Sequence, residues 1–276
     1  MCRWLVYTGS PIRPEELLYK TDHSLIDQSM HAKLGATTLN GDGFGLGWYD
    51  GPRPPGLFRG IGPAWGDRNL RELSTHLRSG LFFAHIRAST GSAIQETNCH
   101  PFRYRTWLWM HNGEIHGFDR IKRQLVLAIE PELYPHIEGT TDSELMFYLA
   151  LSFGLRDDPP AAVARMVGHV ERVAAEHGIA DAVQMTVATS DGSRVWAFRY
   201  STRRASRSLF YSADADALRK LYPDNPIFGR IAEGTRIIVS EPLGNLPGAW
   251  IEAPESAYGV VSPDGDTIHD FRPDPV

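Results

Sequence analysis

The C-terminal part of this chain is a series of short apolar runs joined by tight turns, and that pattern excludes most architectures. Residues 183–188 and 195–200 flank Asp191-Gly192, a pair suited to a two-residue hairpin turn. Residues 209–212, 236–240 and 258–261 read as further strands, and Pro263-Asp264-Gly265 turns the chain into a last one. Strands joined so closely must pair largely antiparallel, which rules out a doubly wound parallel sheet. Several of these strands are apolar at consecutive positions, so both faces of the sheet must be covered.

The N-terminal half mixes strands with helices. Residues 2–7 read as a strand ending at Gly9-Ser10-Pro11, and 14–20 as a short helix with proline at its start and acids in its first turn. Residues 67–77 carry leucines at helical spacing, 81–87 and 107–111 are apolar strands, and 118–129 is a helix. Thr141-Asp142-Ser143-Glu144 fits a capping box ahead of an apolar helix through Leu151. Residues 161–177 form another helix, closed by Gly178. Residues 52–55 and 157–160 read as loops. With no internal repeat and no linker, residues 1–276 are expected to form a single domain.

Charge and cysteine usage narrow the function classes. A net charge of −5 offers nothing to nucleic acid or an anionic membrane surface. No apolar stretch has the length of a membrane span, and Arg13, Glu15 and Glu16 come too early for a signal peptide. The two cysteines, Cys2 and Cys99, exclude a disulfide scaffold and fit a reducing, cytoplasmic setting. Both are expected to be thiols.

Cys2 is the most informative of the polar residues. Its small side chain permits removal of Met1, which would leave one residue carrying both a thiol and a free α-amino group. That amine has an unperturbed pKa of about 7.7–8, so it can accept the thiol's proton near neutrality. Taken alone, Cys2 could equally be a buried apolar residue at the start of a strand. Arg87, in His85-Ile86-Arg87-Ala88-Ser89-Thr90, follows an apolar strand and could clamp a carboxylate with its planar fork, or could be an unpaired surface cation. His111-Asn112-Gly113-Glu114 also follows a strand. The Asn112 amide and the Gly113 N–H could form an oxyanion hole, whereas Asn-Gly is also a preferred hairpin turn. Asp142 could accept from a substrate ammonium, or could simply favour its helix start.

Asn40-Gly41-Asp42-Gly43-Phe44-Gly45-Leu46-Gly47-Trp48 has the spaced glycines of a phosphate loop. No Lys-Ser/Thr pair follows, so a tight glycine loop packed against an active site is expected instead. Among the 11 histidines there is no HExxH and no zinc spacing. There is no Gly-x-Ser-x-Gly elbow. Cys99 stands next to His100, but sequential neighbours rarely form a catalytic pair, so Cys99 is not taken as the nucleophile.

Together these segments resemble, in order, the class II glutamine amidotransferase domain of the N-terminal-nucleophile hydrolases. They are Met1-Cys2-Arg3, the 40–48 glycine segment, His85 to Thr90, His111 to Glu114 and Thr141 to Glu144. Val239-Ser240-Glu241-Pro242-Leu243 is similar to a motif of small stand-alone members. The resemblance implies an α+β fold, a four-layer αββα sandwich of two mostly antiparallel sheets. It makes Cys2 the nucleophile and Asn112 and Gly113 the oxyanion hole. It places Arg87 on the glutamine α-carboxylate with Thr90 nearby, and Asp142 on the α-ammonium. Asn40, Asp42 and Gly43 would belong to a loop beside the site. The implied reaction passes through a γ-glutamyl thioester and needs no metal or organic cofactor.

No synthase domain is evident to consume released ammonia. The resemblance therefore leaves open a glutaminase serving a separate synthase partner, and a hydrolase of another γ-glutamyl amide. The opening residues and the 40–49 segment resemble the ergothioneine-pathway member, whereas His85-Ile86-Arg87 resembles other stand-alone members. A non-catalytic amino-acid-binding module is the alternative from another class.

Overall fold

The computed structural model describes residues 2–34, 39–89 and 91–274. The elements run β1 (Arg3–Ile12), α1 (Glu15–Leu18), α2 (Leu25–His31), β2 (Phe44–Trp48), β3 (Gly56–Gly60), α3 (Arg68–His76), β4 (Ser79–Ile86), β5 (Phe102–Tyr104), β6 (Trp107–Ile115) and α4 (Phe118–Leu127). They continue as α5 (Asp142–Ser152), α6 (Pro159–Glu176), β7 (Val183–Ser190), β8 (Val195–Ser201), β9 (Phe210–Ser212), α7 (Ala215–Leu221), β10 (Arg236–Val239), β11 (Trp250–Glu252), β12 (Ala257–Ser262) and β13 (Gly265–Asp270).

The strands form two antiparallel sheets. One has seven strands in the order β11-β9-β10-β1-β4-β2-β3, the other six in the order β13-β12-β8-β7-β6-β5. Strand alternation explains how they stack, because successive side chains point to opposite faces. On β1, Trp4 and Val6 meet Leu108, Met110 and Ala188 of the second sheet, while Leu5 and Tyr7 pack on Leu17, Leu25 and Leu218 from α1, α2 and α7. On the second sheet, Trp109, Met185 and Val187 turn outward onto Ile121, Phe147 and Val167 from α4, α5 and α6. The layers are thus helix, sheet, sheet, helix, as the doubly covered strands predict. No helix among the described residues is long and apolar enough to cross a membrane.

Four local expectations are corrected. The first strand does not end at Gly9-Ser10-Pro11; it runs on to Ile12 through a register shift between Thr8 and Ile12. The glycine segment is a loop only to Gly43, and the rest is strand β2, paired on both sides. Its glycines answer to close packing: a Cβ on Gly45 would lie 2.1 Å from the His100 carbonyl oxygen. Strand β6 extends through Asn112-Gly113 to Ile115, so that pair is not a hairpin turn. The capping box is half formed. Thr141 accepts from the Glu144 N–H, but the Glu144 carboxylate instead accepts from the Glu138 and Gly139 N–H groups at 2.9 and 2.7 Å.

Sequence reading missed α2, α7 and the short strands β3, β5 and β11. Helix α2 does carry a start signal, a reciprocal capping box between Ser24 and Asp27. Aspartate stands there in place of the usual glutamate or glutamine.

Candidate active site

The site lies at one end of the space between the sheets, where β1 begins and β4 ends. Cys2 precedes β1. Its Sγ is 3.3 Å from the Ala88 N–H that points to it and 3.5 Å from the Ala88 carbonyl oxygen. Burial pushes the Cys2 thiol pKa up, opposed by the Ala88 N–H and the charges of Arg87 and Arg3. Unaided, the group is therefore a thiol at neutral pH. Two donors hold the Cys2 carbonyl oxygen, Asn112 Nδ2 and Arg3 Nη1, both at 2.9 Å.

Asn112 is in turn held by His85, whose Nε2 is 3.3 Å from the Asn112 Oδ1. An amide oxygen only accepts, so His85 carries its proton on Nε2. Burial, the largest influence, lowers the His85 pKa to about 3, which keeps the ring neutral. The His100 ring lies against it, tilted, with centroids 4.2 Å apart, and is likewise kept neutral by burial. The amide orientation of Asn112 is thus set by a neighbour that does not change charge near neutrality. The second amide hydrogen of Asn112 is available to another acceptor.

Gly113 follows on β6 at φ +145°, and a Cβ there would lie 1.8 Å from the Gln184 carbonyl oxygen. The position admits only glycine. Gly113 lines an open cavity of about 640 Å³ together with Ser92, Ala93, Thr141 and Asp142. The Asp142 carboxylate, at the start of α5, accepts from the Ile115 N–H at 2.8 Å and the Ser143 N–H at 2.7 Å. No described cation pairs with it.

Arg87 is 3% exposed, which removes the surface-cation reading. Its guanidinium donates to the Asp42 carbonyl, the Ser89 and Ser92 hydroxyls and the Ala93 carbonyl, at 2.7–3.3 Å. None of these partners is a carboxylate. The 40–43 loop wraps this arginine: the Asp42 N–H donates to the Arg87 carbonyl and the Arg87 N–H to the Gly43 carbonyl. The Asp42 carboxylate accepts from the Ser89 N–H at 2.7 Å. Asn40 is buried, anchored by its N–H to the Ser29 carbonyl at 2.7 Å. Thr90 lies outside the described residues. Cys99 is a buried free thiol beneath Gly43, bonded to the Gly60 and Gln95 carbonyls. Among the described residues no group of three or more histidine, cysteine, aspartate or glutamate side chains is placed to hold a metal.

Three groups escaped sequence reasoning. His85 sits inside a motif already singled out, yet its hold on Asn112 needs two strands from different sheets. Ser92 meets Arg87 from a loop. Glu241 is the third: its carboxylate pairs with Arg3 at 2.8 Å and His23 at 2.5 Å, and accepts from the Lys33 and Leu34 N–H groups. It ties the chain ahead of the 40–43 loop to the residue next to Cys2.

These features can be set beside known proteins. The profile of the family described as glutamine amidotransferases class-II matches residues 18–212. The probable glutamine amidotransferase DUG3 of Saccharomyces cerevisiae is 34% identical, over 98% of this chain and 84% of its own. The gamma-glutamyl-hercynylcysteine sulfoxide hydrolase of Mycolicibacterium smegmatis is 26% identical, over 95% of this chain and all of its own. Among solved structures, a glutamine aminotransferase class-II domain protein from Silicibacter pomeroyi is 32% identical and superposes with a TM-score of 0.72, covering 99% of this chain and all of that one. Glutamine phosphoribosylpyrophosphate amidotransferase from B. subtilis, at 13% identity and a TM-score of 0.64, shares the fold over 99% of this chain and 50% of that one. On the matched profile and the relatives at 34% and 32% identity, the chain belongs to the class II glutamine amidotransferases, enzymes of the N-terminal-nucleophile hydrolase fold.

Proposed function

We propose that this enzyme hydrolyses the side-chain amide bond of a γ-glutamyl compound, glutamine being the smallest, with Cys2 as nucleophile once Met1 has been removed. One observation carries the reading. Among the described residues Arg87 is a buried cation with no carboxylate partner and Asp142 a carboxylate with no cationic partner, and Ser92, which accepts from Arg87, lines one cavity with Asp142. An α-amino acid head group supplies the missing partner of each. Names of the relatives agree: one is called a probable glutamine amidotransferase, the other a gamma-glutamyl-hercynylcysteine sulfoxide hydrolase.

The chemistry follows from the groups present. Because burial raises the thiol pKa, an adjacent base is required, and the α-amine of a processed Cys2 supplies it. The amine takes the thiol proton, and Sγ bonds to the amide carbon. Asn112 Nδ2 and the Gly113 N–H stabilise the oxyanion. Its collapse breaks the C–N bond, and the Cys2 ammonium returns the proton to the departing nitrogen. Water then attacks the thioester, glutamate leaves, and the thiol is regenerated. The released amine is ammonia when glutamine is the substrate, and ammonia could then serve a separate synthase.

The test is a screen of γ-glutamyl amides, free glutamine included, for released glutamate, with mass spectrometry of the N-terminus. Retention of Met1 in active protein would rule out the α-amine as base, and absence of hydrolysis of every amide would sink the reading. Two variants then separate the roles. Asn112→Ala should lower kcat by roughly 10²–10³ with a smaller change in KM, because its bond to the oxyanion strengthens in the transition state. Asp142→Asn should raise KM more than it lowers kcat, because the ammonium is present in ground and transition states alike. Melting curves establish that both variants are folded. Unchanged kinetics in folded protein would reduce Asn112 to a strand residue and Asp142 to a helix-start acid.

A further inference from the structure

Strand β6 presents neighbouring residues to two different layers. Met110 packs between the sheets and Trp109 against the helices, so alternation sends Asn112 to the first side and His111 to the second. On the helix side His111 is buried and meets Ser143, the second residue of α5. Its Nδ1 lies 2.8 Å from the Ser143 Oγ. Its Nε2 lies 3.4 Å from the Gln184 carbonyl oxygen, on the paired strand β7.

The tautomer follows from these partners. A carbonyl oxygen only accepts, so Nε2 carries the proton and Nδ1 is a bare acceptor. Burial, the largest influence, lowers the His111 pKa against the opposing pull of Asp142, the Gln184 carbonyl and Glu114, so the ring is neutral near neutral pH.

Ser143 has one hydroxyl proton and two acceptors within reach. Its Oγ is 2.8 Å from His111 Nδ1 and 3.2 Å from Asp142 Oδ1, which already accepts the Ser143 N–H. The two acceptors differ in what else can serve them. Among the described residues no other donor reaches His111 Nδ1, and a buried acceptor left unmet is costly. Asp142 borders the open cavity, where a ligand or water can donate to it. The hydroxyl proton therefore goes to His111, and the carboxylate keeps its acceptor capacity for a ligand in the cavity.

We propose that His111 is a positioning residue for substrate recognition: by holding the Ser143 hydroxyl it keeps Asp142 Oδ1 open to the α-ammonium of the γ-glutamyl substrate. The inference rests on the γ-glutamyl amidase reading, in which Asp142 takes that ammonium, and adds the pair of side chains that leaves the carboxylate able to do so. Bonds made and broken in the reaction are unchanged.

The experiment takes the best accepted γ-glutamyl amide and its counterpart lacking the α-amino group, glutamine and glutaramate in the simplest case. The readout is the ratio of their kcat/KM values in wild type, His111→Leu, Ser143→Ala and the double variant. A ratio is insensitive to a general loss of folded enzyme. Wild type should favour the amino compound by at least about tenfold, the scale of a hydrogen bond to a charged group. His111→Leu frees the Ser143 hydroxyl to turn onto Asp142 and should cut the ratio at least about threefold, mainly through KM of the amino compound. Ser143→Ala removes the competing hydroxyl, so its ratio should not fall. The double variant should recover the ratio that His111→Leu loses. A residue that merely braced the fold would give no such recovery, because losing a second buried side chain adds to the damage. Nitrogen NMR of wild type reads the tautomer without any variant, and should show His111 neutral with its proton on Nε2. A ratio unchanged in His111→Leu, one that the double variant fails to recover, or one that collapses in Ser143→Ala alone overturns the inference, as does a proton on Nδ1. A wild type indifferent to the α-amino group removes Asp142 from ammonium binding, and hydrolysis of neither compound sinks the amidase reading itself.

Discussion

Cys2→Ser is expected to cut turnover of any accepted γ-glutamyl amide by at least about 10³-fold while leaving the melting temperature unchanged, since the nucleophile is the group on which the other catalytic residues depend. A hydroxyl is a far poorer nucleophile than a thiol near neutral pH. The oxygen also differs little in volume, and the surrounding contacts are an N–H and a carbonyl of Ala88 that a hydroxyl satisfies equally well. Cys99→Ser is the internal control. Its thiol is buried under Gly43 and held by backbone groups, so the variant should retain most activity. Labelling by 6-diazo-5-oxo-norleucine provides a second readout: one equivalent at Cys2, weakened in Arg87→Ala. A single label at Cys99, or loss of activity in Cys99→Ser with retention in Cys2→Ser, would mean that the wrong cysteine has been chosen.

The second large effect concerns stability. Glu241→Gln should cost about 3–5 kcal/mol, because it breaks a buried ion pair by removing one of its two charges. That corresponds to a drop in melting temperature on the order of 10 °C. The pH dependence identifies the cause. Burial acts to raise the Glu241 pKa, but His23, the Lys33 and Leu34 N–H groups and Arg3 together hold it down to about 2. A carboxyl whose folded pKa lies below its ordinary value stabilises fully above the unfolded pKa, and that stability is lost as pH falls toward the folded one. The stability gap between wild type and Glu241→Gln should therefore be constant above about pH 4.5. Below it the gap should shrink by roughly 1.4 kcal/mol per pH unit toward pH 2. Urea melts at several pH values measure it. A gap that does not change between pH 5 and pH 3 would show that the carboxylate charge is not what holds the strand start to the segment before residue 40.

Much of the fold was legible because its determinants are local. The Asp191-Gly192 turn fixed a hairpin, and consecutive apolar residues on the strands required two covered faces, which the two sheets and their helices supply. Helix 118–129, the helix closed by Gly178 and the strand before Arg87 fall within a few residues of their expected limits. The errors came where a local signal has two physical causes. Spaced glycines serve loops, but in Gly45 they serve a strand pressed against another backbone. Asn-Gly favours a turn in isolation, but Gly113 is a glycine because of the Gln184 carbonyl on the paired strand, 71 residues away in the chain by the numbering. No window of sequence contains that contact.

The sequence by itself determined which residue types could do the chemistry and in what order they occur: a cysteine after Met1, an arginine after one strand, an asparagine and glycine on another, an aspartate at a helix start. It could not say whether those residues face one another, because covalent order leaves their separation free. Only the tertiary structure decided that β1 lies between β4 and β10, and so set Ala88 and Arg87 on one side of the strand and Ser240 on the other. It also decided which charges lack partners. That property belongs to a buried environment rather than to a residue, because a polar group in water always has a partner and one enclosed by protein has only those the fold provides.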